Sequence, residues 1–276
     1  MKKLVNQRPS RSTAWFLGFI PFFLILFLYW SSSNARLQEN PNDKLLPSFS
    51  SMADAIDRMA FTEDKRTGRY LMWVDTVSSL KRLLWGIAIS ATIALVVGVL
   101  NGSIPLVRAS LSPVVTAISL IPPMAVLPIL FVVLGLGEVS KIALIVIGIA
   151  PFLVRDVQQR ALEIPQEQLI KAQTLGASTW QIIARVILPQ IMPRLLSALR
   201  LSLGAAWLFL IAAEAIASTD GLGYRIFLVR RYMAMDVILP YVAWITFIAF
   251  VLDWLLIKTT HLLYPWFSTQ ENNGSK

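Results

Sequence analysis

The sequence contains no cysteine and only one histidine, His261, among its 276 residues. The absence of cysteine excludes disulfides, thiolate nucleophiles and cysteine-based metal sites. One histidine cannot build a histidine-rich metal site, and its position favours an interfacial side chain over a ligand. We therefore expect neither catalytic residues nor a metal site in this chain.

Charged residues are also scarce. They make up 15% of the chain, while hydrophobic residues make up 56%; a soluble domain averages about 25% charged residues. The 25 Lys and Arg outnumber the 16 Asp and Glu. In a chain this apolar, a basic excess indicates cytoplasmic loops of a membrane protein rather than binding to nucleic acid. The composition predicts an all-α, polytopic membrane protein.

Six apolar stretches are candidates for membrane-spanning helices, which need about 20 mostly apolar residues. They lie at 14–30, 83–99, 111–136, 142–154, 196–217 and 237–256. The first also fits a cleaved signal peptide, but its length and its aromatic end favour an uncleaved anchor. The third contains four prolines, which remove backbone donors that lipid cannot replace. It is either a broken helix that lines a water-filled path or a kinked packing helix.

The placement of charge orients these spans. The tail before the first span carries four Lys or Arg and no acid, and loop 155–194 carries five bases against three acids. The positive-inside rule places both in the cytoplasm, and with six spans it places both termini there. Three arginines after the fifth span oppose the trend, and they either attract anions and acidic partners or snorkel at the interface. They are Arg225, Arg230 and Arg231.

The predicted organisation has four parts. Residues 1–30 form an N-terminal cytoplasmic tail and first span, and 31–82 form an extracytoplasmic segment with short amphipathic helices at 51–60 and 70–82. A core of five spans and the loop 155–194 follows, and a C-terminal tail ends the chain. The core covers residues 83–264 and the tail covers 265–276.

A polar stretch inside the cytoplasmic loop, residues 171–189, reads KAQTLGASTWQIIARVILP. Pro165 suits the first position of a helix, and Gly176 fits the left-handed residue that closes one. Ser178 and Gln181 then form a capping box for a second helix, which we expect to end with the stretch itself at Leu-Pro. Such a hairpin either connects two spans or docks its tip in a groove of a partner.

The same stretch resembles the cytoplasmic loop of ATP-binding-cassette (ABC) importer permeases. The family pattern is Glu-Ala-Ala, three residues, Gly, nine residues and Ile-x-Leu-Pro. Gly176 matches the glycine of this pattern and Ala172 matches its second alanine. Ile170 and Lys171 stand where the family has Glu and the first Ala. IPPMAVLPILFVVLGLGEVSK and LRLSLGAAWLFLIAAEAIASTDGLGYRI resemble segments of the nitrate, sulfonate, taurine and bicarbonate permeases. The resemblance covers nearly all of residues 46–267.

The resemblance implies a type I importer permease of a bacterial inner membrane. Two permease subunits, here two copies of this chain, would form the path above two ABC ATPases, and an extracytoplasmic binding protein would deliver the substrate. The hairpin would couple to an ATPase through Ala172, Gln173, Thr174, Leu175, Gly176, Ala177 and Ser178. The sequence has no G-x-x-x-x-G-K-[ST] phosphate loop, so we expect ATP and Mg to bind to the partner and no cofactor to bind to this chain.

Candidate residues of the translocation path or its gate lie in the third and fifth spans. They are Ser119, Pro122, Pro123, Met124, Ser202, Trp207 and Glu214. Met and Trp in a span more often pack than bind. Acids at membrane depth are paired or functional, and a carboxylate is a poor ligand for an anion. We therefore expect Glu214 to be a structural or gating residue, paired with Arg200 or with a polar group on another span.

The sequence thus favours an importer permease for a small anion such as a sulfonate, taurine, nitrate or bicarbonate. Similar permeases also serve pyrimidine-like vitamin precursors. A membrane-embedded enzyme would need a cluster of nucleophile, base or metal ligands, which this composition does not favour. A self-contained channel would not need a helix–Gly–helix tip on the cytoplasmic side.

Overall fold

The computed structural model describes residues 10–40, 43–65 and 67–267, and these residues fold as helices without any β-strand. The α-helices are α1 (Arg11–Glu39), α2 (Phe49–Ile56), α3 (Leu71–Ile93), α4 (Val99–Ser103), α5 (Pro105–Ser119), α6 (Pro123–Leu134), α7 (Glu138–Leu162), α8 (Gln166–Thr174), α9 (Thr179–Ile182), α10 (Leu188–Ala217), α11 (Leu222–Arg230) and α12 (Met235–Leu263). Three π-helical segments lie at Asp57–Phe61, Ala94–Gly98 and Ile183–Ile187. The prediction of an all-α fold is confirmed.

Four helical runs of the described chain are long and apolar enough to cross a membrane. They are Ser12–Glu39, Leu71–Ser103, Thr179–Ala217 and Met235–Leu263. α5 and α6 together pass the same test as a broken or re-entrant fifth span, bent by 94°. The apolar part of α7 is shorter, because Lys141 and Arg155 bound it. The polytopic architecture is confirmed, and the count of six stays a prediction.

Two helix boundaries before the core differ from the prediction. α1 continues to Glu39, well past residue 30, and the segment predicted as a separate surface helix at 70–82 is the first part of α3. The reason is that its polar side chains at Asp75 and Arg82 are buried and paired inside the bundle. The polar segment and the apolar run after it are therefore parts of one continuous helix. The other predicted helix, 51–60, is confirmed as α2 and the π segment that follows.

The prediction that the second hairpin helix ends at Leu188-Pro189 is wrong. α9, the π segment Ile183–Ile187 and α10 form one helical run. Pro189 therefore lies inside a helical run, where proline removes one backbone N–H and kinks the helix without always ending it; the π segment directly before it is part of the same irregular stretch. The second arm of the hairpin is therefore continuous with the predicted fifth span.

α7 is the central helix of the bundle, and Leu144, Ile145 and Leu153 on it are fully buried. The run of α3 and α4 packs against α7 and carries a small buried residue at every fourth position. These residues are Gly86, Ser90, Ala94, Gly98 and Gly102. Small residues at this spacing let two helix backbones approach closely in a membrane.

We expect Gly98→Ala to destabilise this helix pair. An added Cβ would lie 2.7 Å from the Cβ of Val157 and 2.9 Å from the carbonyl oxygen of Val154, and overpacking of this kind costs about 1–3 kcal/mol. Thermal unfolding of the purified chain in detergent measures the loss. Gly204→Ala on α10 is the matched control, since no atom lies within 4 Å of its added Cβ; equal unfolding temperatures for the two variants would contradict the prediction.

Candidate functional site

The hairpin of α8 and α9 has the conformation that its sequence predicts. Gly176 lies at φ +82°, and the N–H groups of Gly176 and Ala177 donate to the carbonyl oxygens of Gln173 and Ala172 at 2.9 and 3.1 Å. These bonds close α8 in the way glycine-ended helices usually close. Ser178 then begins α9 with a capping box formed with residue 181. The turn is thus fixed by local chemistry alone.

The tip of the hairpin presents apolar side chains to the surroundings. Leu175 is 85% exposed and Trp180 is 66% exposed, while Ala172 and Ala177 are half-buried and pack on the core. Exposed large apolar side chains grouped on a polar element are typical of a surface that a partner covers. The predicted coupling residues therefore share one projecting turn.

The base of the hairpin is tied to the bundle by charge. Glu163 accepts hydrogen bonds from Arg160 at 3.2 Å and from Arg194 at 2.9 Å. Burial raises the pKa of Glu163, but these two arginines outweigh burial and hold the pKa below its ordinary value. Between the hairpin and the bundle lies a cavity of about 470 Å³ that is lined by residues of α4, α5, α7, α8, α9 and the π segment after α9. The hairpin is thus anchored at its base and loosely packed beneath its arms.

A buried ion network lies at the opposite end of the bundle and surrounds Glu214. Its carboxylate is fully buried and accepts hydrogen bonds from Arg82 at 2.7 Å, from Ser79 at 2.8 Å and from the N–H of Gly223 at 2.8 Å. Arg82 also pairs with Glu138 and with a third acid, Asp220. Each carboxylate and guanidinium at this depth is therefore paired, as buried charges in a membrane must be.

The proposed pairing of Glu214 with Arg200 is therefore wrong. Arg200 pairs with Asp253 on α12 instead. The reason is geometric, since 14 residues separate Arg200 from Glu214 on one helix, or about 21 Å. The alternative expectation, a polar partner on another span, is the one that the structure shows: Arg82 of α3.

A second buried pair explains one of the arginines that oppose the positive-inside rule. Arg225 donates to the fully buried Asp75 at 2.8 Å, and Asp75 also accepts from the N–H of Gly221 at 3.0 Å. Arg230 and Arg231 instead lie over aromatic rings of their own segment, at 4.9 and 5.9 Å from the ring centroids. Arg225 is thus a structural charge, while the other two are surface residues.

Apart from Glu214, the predicted path residues fall into two separate groups. Ser119, Pro122, Pro123 and Met124 border the 94° break between α5 and α6, and Met124 is 43% exposed. Ser202 and Trp207 are buried inside the subunit, where the Ser202 hydroxyl donates to the carbonyl of Leu199 at 2.8 Å. The structure therefore does not bring Ser202 or Trp207 to the exposed surface at the break.

Sequence reasoning missed the basic residue at this break, Arg155, whose guanidinium donates to the hydroxyl of Ser119 at 3.0 Å. It also missed Asp75, Ser79 and Arg82, although their spacing places them on one face of a helix. In residues 10–40, 43–65 and 67–267, no cluster of three or more His, Asp or Glu could hold a metal ion.

Comparison of the chain with known proteins identifies its family. Residues 69–269 match the family described as "Binding-protein-dependent transport system inner membrane component". The chain is 35% identical over 195 residues to the taurine transport system permease protein TauC of Escherichia coli K12, which covers 71% of each chain. It is 28% identical over 241 residues to the bicarbonate transport system permease protein CmpB of Synechococcus elongatus, covering 80% of this chain and 82% of that protein.

Two solved structures share the fold. A subunit of a bacterial ABC transporter involved in the import of the polysaccharide alginate superposes with a TM-score of 0.59 at 14% identity, covering 92% of this chain and 97% of that one. A chain of the MetNI methionine ABC transporter in an inward-facing conformation superposes with a TM-score of 0.57 at 23% identity, covering 69% and 93%. The chain belongs to the family of inner-membrane components of binding-protein-dependent transport systems and is a permease subunit of the ABC importer kind.

Proposed function

We propose that this permease moves a small oxyanion, such as taurine, another sulfonate, nitrate or bicarbonate. The observation that carries the proposal is the 35% identity to the taurine permease over 71% of each chain. Two further relatives support it, since their names refer to bicarbonate and to aliphatic sulfonates, the latter from Bacillus subtilis at 34% identity over 161 residues and 56% of each chain. These substrates are small and carry a delocalised negative charge on oxygen.

The hairpin tip, residues 172–178, couples this path to a separate ATPase. Its exposed apolar side chains, led by Leu175, would fill a groove on the ATPase, which binds ATP and Mg. Because the second arm is continuous with α10, a push on the tip passes directly along that helix. At the far end of α10, the charges around Glu214 hold the helix to α3 and α11, so the displacement reaches the opposite face of the membrane.

The proposed assembly contains two copies of this chain, two ATPases and one binding protein. The hairpin and both termini lie in the cytoplasm, as the basic tail and loop 155–194 favour. The binding protein then docks at the end that carries Asp220, Arg230 and Arg231. A membrane-embedded enzyme or a lone channel would have no use for a projecting apolar tip.

Affinity purification of the tagged chain from its own host, followed by reconstitution in proteoliposomes, tests the proposal. We expect an ABC ATPase to copurify in stoichiometric amount, and uptake of labelled taurine, nitrate or bicarbonate to require both ATP and the binding protein. Copurification of the chain with itself alone, or uptake without ATP, would support a channel. ATP-dependent uptake of a pyrimidine and of none of the anions would favour the vitamin-precursor alternative.

A further inference from the structure

Arg155 differs from five other arginines of the bundle, and from Arg108, which also lacks an acidic partner but donates to the backbone carbonyls of Asn101 and Gly102. Among the described residues it has no acidic side chain within 4 Å, whereas five others pair with Asp or Glu. Those five are Arg82, Arg160, Arg194, Arg200 and Arg225. Arg155 is also the first charge after the apolar run of α7, and its side chain is exposed. Its positive charge is thus available for an anion.

The side chain of Arg155 contacts the break between α5 and α6. Its Nη1 donates to the Oγ of Ser119 at 3.0 Å, and Ser119 is the last residue of α5, directly before the 94° bend. The next two residues, Leu120 and Ile121, are exposed. Lipid cannot satisfy an interrupted helix, so such a break is tolerated where it is buried in protein or lines a water-filled cavity. Arg155 is exposed at this position, so the N–H groups that do not bond to Ser119 can donate to water or to an anion.

A polar seam continues from this point between α5 and α7. Gln158, one turn after Arg155, donates to the hydroxyl of Ser112 at 3.3 Å, and Asn101 donates to Gln158 at 3.3 Å. The Oδ1 of Asn101 is buried without a protein partner. These contacts run from the break toward the hairpin end of the bundle. The interface of α5 and α7 is therefore polar at several positions and not only at the pair of Arg155 and Ser119.

We propose that Arg155 and Ser119 form an anion-binding site on the wall of the translocation path, at the step where the substrate passes toward the hairpin end. The inference rests on the proposed function, because it requires an anionic substrate. A guanidinium offers two parallel N–H donors that match the oxygens of a sulfonate, nitrate or bicarbonate. The hydroxyl of Ser119, which now donates to the carbonyl of Thr116 at 2.8 Å, can turn to the same anion.

The absence of native cysteine in this chain allows a direct test with Ser119→Cys in the complete complex in nanodiscs. An anionic and a cationic methanethiosulfonate are compared, each rate being normalised to its reaction with free cysteine. We expect about a tenfold preference for the anionic reagent, as for ions steered by a charged cleft, and protection by added taurine. Ser110→Cys, an exposed serine of the same helix, is the matched control and should show no preference.

Removal of Arg155 is the second part of the test. Ser119→Cys combined with Arg155→Gln should lose the preference. Arg155→Gln alone should reduce taurine uptake by about tenfold or more, the loss expected for a hydrogen bond to a charged group, while ATP hydrolysis stays within about twofold. Arg155→Lys should fall between, since it keeps the charge and loses the paired donors. Arg36→Gln, which removes an ion-paired arginine of α1 outside the interface of α5 and α7, should transport normally.

Three results would overturn the site. They are equal normalised rates for the two reagents, wild-type uptake by Arg155→Gln, and labelling that responds to the phosphatidylglycerol content of the nanodisc but not to taurine, which would indicate a lipid headgroup. In each case anion uptake by the wild-type complex would leave the proposed function standing. A wild-type complex that moves no anion would overturn the proposed function and this site together.

Discussion

Arg82→Met is expected to remove most of the folded protein from the membrane. The substitution leaves Glu214 fully buried and without its guanidinium partner, 2.7 Å away in the wild type. Removal of one member of a buried ion pair costs about 3–5 kcal/mol, which is a large share of a total stability of about 5–15 kcal/mol. The monodisperse fraction in size-exclusion chromatography of a detergent extract, with its unfolding temperature, measures the loss.

The double variant Arg82→Met with Glu214→Met is the matched control. It removes both members of the pair, and hydrophobic replacement of a buried pair is often neutral or stabilising. We expect the double variant to recover much of the folded protein that the single variant loses. Glu138→Gln, which alters an acid 57% exposed in its side chain, should cost less than Arg82→Met, because Arg82 keeps Glu214 and Asp220 as partners. A double variant no better than Arg82→Met would show that Arg82 contributes through its other partners.

The hairpin was predictable from sequence because its structure depends on neighbours in the chain. A left-handed glycine and a capping box each depend on residues that are close together in the sequence. Gly176 provides the first and Ser178 the second. The prolines of the third span predicted a helix that is either broken or kinked, since prolines lack the donors that a helix needs. The 94° angle at that break was not predictable, because it depends on how α6 packs against α7.

The buried charges were not predictable because their partners are distant in sequence. Asp75 and Arg82 have the spacing of an amphipathic surface helix, and only the contacts with Arg225 and Glu214 show that this polar face points inward. Ser202 and Trp207, which the sequence analysis assigned to the path or its gate, are buried inside the subunit, and their role in the path stays a prediction. A polar residue in an apolar helix predicts that it has a partner, but it does not identify the partner or the face.

Gly176→Pro is expected to uncouple ATP hydrolysis from transport. The glycine lies at φ +82°, whereas proline is fixed near −65°, and its N–H, which donates to Gln173, would be lost. The tip that carries Leu175 would therefore leave its docking geometry. We expect uptake to fall by about tenfold or more while the protein inserts normally, since the turn is exposed and nothing lies within 4 Å of a side chain added there.

Gly176→Asn is the matched control, because asparagine adopts the left-handed conformation more readily than other non-glycine residues and keeps the N–H. This variant should retain most of its uptake and its binding-protein-stimulated ATP hydrolysis. The two variants differ in backbone conformation at one exposed turn, far from the buried charges around Glu214. Normal uptake by Gly176→Pro would refute the docking role of the hairpin, and loss of the assembled protein in both variants would show that the turn serves folding rather than coupling.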